Sequence, residues 1–329
     1  MESSILLEHI VMPCNLILCD EVDSTNDALK RLVAELRFDS GAGFGKDDKN
    51  AAFVPHIVIA EQQTAGRGRF DRAWASPKGN VYLSLLLELA APPERRSALS
   101  LIVACAVRKA LLGICEGGAA LKVGKPEQPV DEVLHKPERS AALKLKWPND
   151  ILLVAEGTEE KHDATGKAQG APLDALAGIA QGTPLSVSLG KLVGILVETA
   201  TDVQGIVRVI AGIGINIARP AGESNKQAAY LSDILPKAPK RELVAAAAIN
   251  NIHTAIQTWE EHGFSFAPFC QEYERNLLLM EQEVAIHTFE GRIISEGVVR
   301  GVSSTGELLV EQSDGTTASI AAGEVTLRD

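Results

Sequence analysis

The segment EQQTAGRGRFDRAWASPKGN occupies residues 61–80 and separates two apolar runs that have the pattern of strands. It shows no helical period, so it is predicted to be a long loop, and long loops of this kind are usually functional. Gly66 and Gly68 free the backbone to present N–H groups to an anion. The loop also carries side chains whose planar forks suit phosphate or carboxylate, namely Arg67, Arg69 and Arg72. We therefore expect it to bind an anion.

Composition narrows the class of protein. The chain has 329 residues, of which 46% are hydrophobic and 23% charged, and this balance indicates a soluble globular protein of about two domains. The net charge of −11 disfavours non-specific attraction to nucleic acid or anionic lipid. Five cysteines without a CxxC pair indicate reduced thiols, and neither a basic leader nor an apolar run of membrane-span length is evident. We expect a cytoplasmic protein without a membrane anchor.

Three further segments carry polar or charged residues, and the last two also carry glycine: KWPND at 146–150, GKLVGILVE at 190–198 and GIGIN at 212–216. In the first, Lys146 offers a cation for phosphate and Trp147 a flat face for a base, while Asn149 and Asp150 offer the oxygen ligands that Mg²⁺ prefers. This segment predicts a site for a nucleotide and its metal ion.

Lys191 stands just before a predicted strand, with Gly194 three residues further on. Its ammonium group could therefore reach a carboxylate or an α-phosphate over an unobstructed backbone. The sequence contains no Walker loop, zinc-ligand pair or nucleophile elbow. Catalysis by positioned charge suits these residues better than a covalent nucleophile.

Each segment taken alone also has a simpler interpretation. Residues 24–26 could serve as nothing more than a helix cap, GRGR could be a solvated loop, and WPND could be a β-turn. GIGIN could reflect close strand packing, and Lys191 could lie on the surface. The occurrence of all of them in one chain favours a shared site.

Hydrophobic periodicity predicts a mixed sheet with helices, followed by a small barrel. The expected strands are one or two within 5–20, then 56–60, 81–89, 143–146, 151–154, 192–198 and 207–217. One helix is expected to begin at the capping box of Ser24 and Asp27. Three more are expected at 99–114, 241–261 and 266–279. Residues 39–50 are expected to form a loop, and 116–140 and 156–190 to be insertions. Short alternating strands after Leu279 indicate the barrel.

These segments, in this order, resemble the biotin protein ligase family, the biotin–[acetyl-CoA-carboxylase] ligases, over residues 23–328. The resemblance implies an α+β fold with a mixed sheet and helices on one side, related to the catalytic domain of class II aminoacyl-tRNA synthetases, at 1–279. An SH3-like barrel would follow at 280–329. It implies that biotin reacts with Mg-ATP to give biotinyl-5′-AMP and that the biotinyl group then passes to a lysine of a biotin carboxyl carrier domain.

The resemblance also assigns site residues. It implies biotin and adenylate contacts from Ser24, Thr25, Asn26, Gln63, Gly66, Arg67, Gly68, Arg69, Lys191 and Gly194, with Lys191, Arg67 and Arg69 as the catalytic charges. It implies ATP contacts from Arg69, Arg72, Lys146, Trp147, Asn149, Asn216 and Arg328, and a metal contact from Asp150. Arg328 is expected to reach back from the barrel towards the nucleotide.

Two other functions stay open at this point. A lipoate or octanoate ligase would share the fold and the adenylate chemistry, although we expect it to lack GRGR with Gln63 and the KWPND turn. A biotin-sensing regulator would need a further DNA- or partner-binding module. Only 22 residues precede Asp23, so we expect no DNA-binding domain there. A homodimer is compatible with the sequence.

Overall fold

The structure is a computed structural model that describes residues 2–35, 54–116, 141–155, 188–201, 207–222, 225 and 227–328. The loop predicted at 39–50 and most of the insertions predicted at 116–140 and 156–190 lie outside these residues.

The larger part of the chain is built on a seven-stranded sheet with the order β1-β2-β3-β7-β6-β5-β4. Its strands are β1 Asn15–Val22, β2 His56–Gln63, β3 Val81–Leu87, β4 Ala141–Lys146, β5 Asp150–Ala155, β6 Ser188–Thr201 and β7 Val207–Ile215. The β1 and β2 strands run parallel, whereas the other neighbours are antiparallel. The predicted mixed sheet is therefore confirmed.

Helices cover both faces of this sheet. They are α1 Ser3–His9, α2 Thr25–Glu35, α3 Leu99–Cys115, α4 Arg241–Glu261 and α5 Ala267–Asn276. Ile57 and Ile59 of β2 belong to the main core with α3 and α4, whereas Val58 packs in a smaller cluster with Leu29 of α2. Because neighbouring residues of a strand point to opposite faces, α2 lies opposite α3 and α4. The expectation of helices on one side only is thus corrected.

The N-terminal segment also differs from expectation. Residues 3–9 form α1 rather than a strand, and Leu6 is its one buried residue. A short apolar run has no period that separates a strand from a buried helical turn, and here packing against α4 decides the outcome.

The α3 helix is the centre of the main core. The stretch Pro93–Cys115 is apolar and long enough, by composition alone, to cross a bilayer. Ten residues of α3 are nevertheless buried within the protein, and the helix packs against α4 and the sheet. Its apolar character is therefore explained by its place in the core.

The C-terminal strands form a separate five-stranded antiparallel sheet with the order β11-β10-β9-β8-β12. They are β8 Glu283–His287, β9 Ile293–Val302, β10 Leu308–Glu311, β11 Thr317–Ile320 and β12 Glu324–Leu327. We call residues 280–328 the barrel. The segment that leads into the barrel is tied to the larger sheet, where Leu278 N donates to Leu145 O at 2.8 Å. The barrel itself contacts the turn after β4, where Trp147 Nε1 donates to Gly306 O at 3.3 Å.

Trp147 provides a direct test of this packing, because its side chain is only 2% exposed and touches the barrel. We expect Trp147→Ala to lower the free energy of unfolding by about 3–5 kcal/mol, since a large cavity replaces the indole. Urea unfolding would measure the loss. Trp147→Phe should cost less, and equal losses for both variants would contradict a packing role.

Candidate active site

A cleft opens over the central strands β6 and β7. Its lining comes from segments that are far apart in sequence: Ser24, Thr25, Asn26, Gln63, Arg67, Gly68, Trp74, Asn149, Lys191, Gly194, Ile195, Leu196, Gly212, Ile213 and Gly214. All the predicted biotin contacts lie in this lining except Gly66 and Arg69. The structure thus brings together residues that the sequence analysis had grouped by motif.

Glycines form the floor of the cleft beneath Trp74. Gly194 of β6 pairs in register with Gly214 of β7. A Cβ atom would lie 2.6 Å from Trp74 Nε1 at Gly214 and 2.9 Å from the indole ring at Gly194. The indole therefore needs a floor without side chains. The sequence analysis did not assign Trp74 to the site, although a tryptophan in a polar, arginine-rich loop was a usable signal.

Trp74 also brings unused hydrogen-bonding capacity to the cleft. Its Nε1 atom is buried and has no hydrogen-bond partner among the described residues. A buried donor of this kind favours a ligand that supplies an acceptor. The ammonium group of Lys191 lies 5.1 Å from the centre of the same ring, within the range of a cation–π contact.

The first turn of α2 is held by a buried polar network. Gln63 Oε1 accepts from Thr25 N at 2.8 Å, and Gln63 Nε2 donates to Ser76 Oγ at 2.8 Å. Ser84 Oγ lies 2.7 Å from Thr25 Oγ1 and 2.6 Å from Asn26 Oδ1. Because buried polar groups need partners, this network fixes the rotamers of the cleft wall. Ser84 was not predicted, although it is the polar residue within the apolar strand VYLSLLL.

Ser24 caps α2 with its Oγ accepting from Asp27 N at a long 3.4 Å. The predicted capping box is only half formed, because Ser24 N donates to Asp23 Oδ1 at 2.7 Å instead of to Asp27. The preceding residue, Asp23, receives two hydrogen bonds from Arg31, at 2.7 and 2.8 Å. These bonds, against a small opposing effect of burial, lower the pKa of Asp23 to about 2. The start of α2 therefore stays anchored at neutral pH.

Lys191 is held on one wall of the cleft by its own backbone and by a carboxylate. Its N–H donates to Gln227 O at 2.7 Å, and its carbonyl accepts from Asn216 Nδ2 at 3.2 Å. Its Nζ atom lies 2.7 Å from Asp150 Oδ1. Asn216 thus helps to position Lys191 through one amide hydrogen, and its predicted contact with ATP stays a prediction.

Asp150 is the predicted metal residue and lies beside the cleft at the start of β5. No group of three or more His, Cys, Asp or Glu side chains within the described ranges could hold a metal ion without further ligands. Asp150 offers one carboxylate, and Mg²⁺ often binds through one or two carboxylates together with substrate phosphates. The donor set fits a metal that arrives with a nucleotide.

The arginine-rich loop, residues 66–74, folds back on itself. Gly68 N donates to Arg72 O at 2.7 Å, and Trp74 N donates to Gly66 O at 2.8 Å. The predicted use of the Gly68 N–H in an anion cradle is therefore wrong for this conformation, since that group already has an internal partner. Gly66 is required for space: a Cβ atom there would lie 2.5 Å from both Ser76 Oγ and Trp74 O.

The tip of this loop rests on the barrel. Arg72 pairs with Glu324 through contacts of 2.6 and 2.8 Å. Arg69 Nη1 donates to Gly323 O at 3.3 Å, and the Phe70 and Phe289 rings are 5.0 Å apart. Phe70 has φ of 57°, a left-handed conformation that turns its ring towards the barrel. We call these contacts the loop–barrel contact.

Two predicted ATP residues lie elsewhere. Trp147 is buried, with Nε1 bonded to the barrel, so its ring offers no open face to a base. Arg328 pairs with Glu283 at 3.3 Å and Glu296 at 3.7 Å on the barrel and is absent from the cleft lining. Arg69 and Arg72 of the loop instead reach the barrel and connect it to the surroundings of the cleft. Both corrections arise from how the barrel packs.

The loop–barrel contact gives a pH prediction. The hydrogen bond from Arg72 is the largest cause that lowers the pKa of Glu324, against the opposing effect of partial burial. A lowered folded-state pKa means that the contact adds stability above the ordinary glutamate pKa of about 4.3 and loses it as the pH falls through the lower folded-state value.

A double-mutant cycle of Arg72→Gln and Glu324→Gln would measure this coupling. We expect about 0.2–1 kcal/mol at pH 7, because both side chains are partly exposed, and a decline towards zero below pH of about 4. The free energy of unfolding is the readout. A coupling independent of pH would contradict the assignment.

Comparison with known proteins identifies the family. Residues 44–216 match the Biotin/lipoate A/B protein ligase family, and residues 280–328 match the biotin protein ligase C-terminal domain. The bifunctional ligase/repressor BirA of Salmonella typhimurium is 26% identical over 95% of this chain and 74% of its own length. The biotin–[acetyl-CoA-carboxylase] ligase of Mycobacterium tuberculosis is 26% identical over 82% of this chain and 77% of its own.

A solved structure shares the fold. The biotin protein ligase of Aquifex aeolicus, in complex with biotin and ATP, superposes with a TM-score of 0.61 and 25% identity over 95% of this chain and 98% of its own. The family resemblance and the fold class expected from the sequence are thereby confirmed. The chain, with its mixed sheet, its cleft and its C-terminal antiparallel sheet, belongs to the Biotin/lipoate A/B protein ligase family and resembles the biotin protein ligases within it.

Proposed function

We propose that this protein is an ATP-dependent biotin protein ligase. It activates biotin to biotinyl-5′-AMP and transfers the biotinyl group to a lysine of the biotin carboxyl carrier domain of a carboxylase. The observation that carries the proposal is the cleft, where buried polar groups meet Lys191 and Arg67 beside Trp74. The named relatives support biotin as the acid and a carboxylase as the source of the acceptor.

Biotin has the chemistry that this cleft can bind. Its ureido group presents a carbonyl and two N–H groups, which need acceptors and donors in a buried setting. Thr25 and Asn26, 4% and 3% exposed, carry such groups, as does Gln63. The ring system and chain of biotin are apolar and suit the glycine floor with Trp74. Its carboxylate would then lie near Lys191, where a cation is available.

The first step is adenylation. In it the carboxylate of biotin attacks the α-phosphorus of ATP, and pyrophosphate leaves. Negative charge accumulates at phosphorus, so positioned cations lower the barrier without becoming covalent. Lys191 and Arg67 line the cleft and supply this charge. Three further cations lie near Glu324 of the barrel, where their charge lowers its pKa: Arg69, Arg72 and Lys146. Because they concentrate positive charge on that side, they suit the ATP phosphates.

Asp150 and Asn149 complete the proposed nucleotide side. Asn149 Nδ2 donates to Ile195 O at 2.7 Å, which leaves its carbonyl oxygen free of that bond and ties the turn to β6. Asp150 would hold Mg²⁺ in company with the phosphates, and the ion would neutralise charge on the departing pyrophosphate. In the described structure Lys191 occupies that carboxylate, so Lys191 would exchange partners when the nucleotide binds.

The second step is aminolysis, in which the carrier lysine attacks the acyl carbon of the adenylate and AMP leaves. An acyl-adenylate is prone to hydrolysis, so water must be kept out of the cleft between the steps. Residues 66–74 are suited to this task because they border the cleft and rest on the barrel. We assign residues 280–329 this supporting role, with 1–279 as the catalytic domain.

ATP–pyrophosphate exchange tests the function with biotin, lipoate, octanoate or no acid. Exchange with biotin alone would support the proposal and exclude the alternative of a lipoate or octanoate ligase, which the broader family name permits. Exchange with lipoate or octanoate instead would keep the chemistry and overturn the substrate. Absence of exchange with every acid would favour a biotin-sensing role.

Lys191 gives the sharpest variant. We expect Lys191→Ala to lower the kcat of biotin-dependent exchange on the order of 10²- to 10³-fold, because it removes a cation from the centre of reaction. Lys237→Ala, at an exposed lysine outside the cleft, is the matched control and should behave as wild type. Near-normal exchange by Lys191→Ala would contradict its assigned role.

The remaining partners and the location are also proposals. We infer a cytoplasmic enzyme that does not bind DNA, since a net charge of −11 opposes attraction to the phosphate backbone. A homodimer is compatible with the sequence, and light scattering of the purified protein would measure the oligomeric state. Gel-shift assays at low salt would check the statement on DNA.

A further inference from the structure

Glu198 is a partly buried carboxylate behind the wall of the cleft that the proposed mechanism does not yet use. It lies on β6, with Gly194 on the same strand, and its side chain is 21% exposed. Asn26 Nδ2 donates to Glu198 Oε2 at 2.7 Å, and Lys30 Nζ donates to Glu198 Oε1 at 2.7 Å. Burial raises the pKa of Glu198, but the bonds from Lys30 and Asn26 outweigh it and leave the pKa lowered. The group is therefore ionised at neutral pH.

Glu198 belongs to a cluster of two acids and two bases. Arg67, from the loop, forms an ion pair with Asp27 and lies 3.9 Å from Glu198 Oε2. Lys30 lies between the acids, 2.7 Å from Glu198 and 3.5 Å from Asp27. A third acid, the exposed Asp71, also lies 3.5 Å from Arg67. Arg67 is thus held by carboxylates before any anion enters.

We infer that Glu198 is a positioning residue for the adenylation step, acting through Arg67 and Asn26. This inference rests on the proposed function, because it concerns the reaction assigned to the cleft. Glu198 contacts these two groups in the described structure and is absent from the cleft lining itself. Its effect on the reaction is therefore indirect.

The first effect of Glu198 is on the amide of Asn26. The Oδ1 atom of Asn26 faces Ser84 Oγ at 2.6 Å, while Nδ2 faces the carboxylate. A flipped amide would place two oxygens against each other, so the carboxylate sets a single orientation. Gly212 lies directly beneath the same amide and has no room for a Cβ atom. The Asn26 side chain is thus fixed as part of the biotin wall.

The second effect is on the exchange of Arg67 between protein and ligand. When an anion enters, Arg67 must leave its acidic partners and turn to the ligand. Loss of every cationic partner of a partly buried carboxylate would be costly, but Glu198 keeps Lys30 at 2.7 Å. The lysine therefore lets Arg67 move without leaving Glu198 unpaired.

The test is biotin-dependent pyrophosphate exchange by two variants. Glutamine keeps an acceptor for Asn26 but loses the charge, so Glu198→Gln should lower kcat about 10- to 100-fold with less than a twofold change in the KM for biotin. Alanine loses both, so Glu198→Ala should also raise the KM for biotin at least fivefold. A cycle with Arg67→Ala should show that Glu198→Gln costs little more once Arg67 is gone.

Glu88→Gln is the matched control, because Glu88 also pairs with an arginine on this sheet, at 2.8 Å from Arg208, and lies outside the cleft lining. It should lower the melting temperature and leave kcat and KM unchanged per folded molecule. If Glu198→Gln behaves in the same way, the inference is overturned, since its role would then be structural.

Lys30→Gln gives an independent measurement in case Glu198 variants fold poorly. Without the lysine, Glu198 should retain Arg67 more tightly, and the KM for ATP or for biotin should rise at least threefold, since the ligand must compete with it. Unchanged KM values would overturn the inference. Wild-type protein without biotin-dependent exchange would instead overturn the proposed function, so the two failures are distinguishable.

Discussion

The close approach of two side chains to bare backbone is the constraint on which this cleft depends. Asn26 rests on Gly212, and the indole of Trp74 rests on Gly194 and Gly214. Those glycines belong to β6 and β7, two adjacent strands at the middle of the sheet that each have a neighbouring strand on both sides. A methyl group at any of them would displace the wall of the cleft. The shape of the site therefore depends directly on the backbone of these two strands.

Around that floor, the site is arranged by polar groups that neutralise one another. Lys191 pairs with Asp150, and Arg67 pairs with Asp27. Ser84, fully buried, lies against Thr25 and Asn26. Each cation thus has an acidic partner that it can exchange for a ligand phosphate or carboxylate. Such an arrangement keeps an acidic protein able to receive an anion, because positive charge is exposed only when the ligand replaces the internal partner.

The sequence was most informative where chemistry is concentrated in contiguous residues. Lys191 and Gly194 were singled out because they lie in a short glycine-containing motif. Ser24, Thr25, Asn26 and Gln63 were assigned through the family resemblance, and the structure brings all six residues to one cleft. The strand pattern also predicted the mixed sheet, since the apolar run at 56–60 and the alternation at 81–89 are local features. These features depend on near neighbours, which a single sequence displays.

What failed depends on contacts between distant segments. Trp147 was assigned to ATP because of its flat ring and Arg328 because of the family resemblance, yet the barrel covers the first and pairs the second with Glu283. Glu198 and Ser84 were missed because their roles need the alignment of β6 and β3 with α2. A charged or hydroxylated residue inside an otherwise apolar strand was nonetheless visible in both cases, and such residues merit attention when a sequence is interpreted.

The loop–barrel contact has a further consequence for how this protein can change over evolution. Arg72 and Glu324 are 252 positions apart in the chain, yet they form one surface, together with Phe70 and Phe289. A chimaera that took its last fifty or so residues from a relative would inherit a barrel shaped for another loop. We therefore expect a functional hybrid to require that residues 66–74 and the barrel come from the same parent protein.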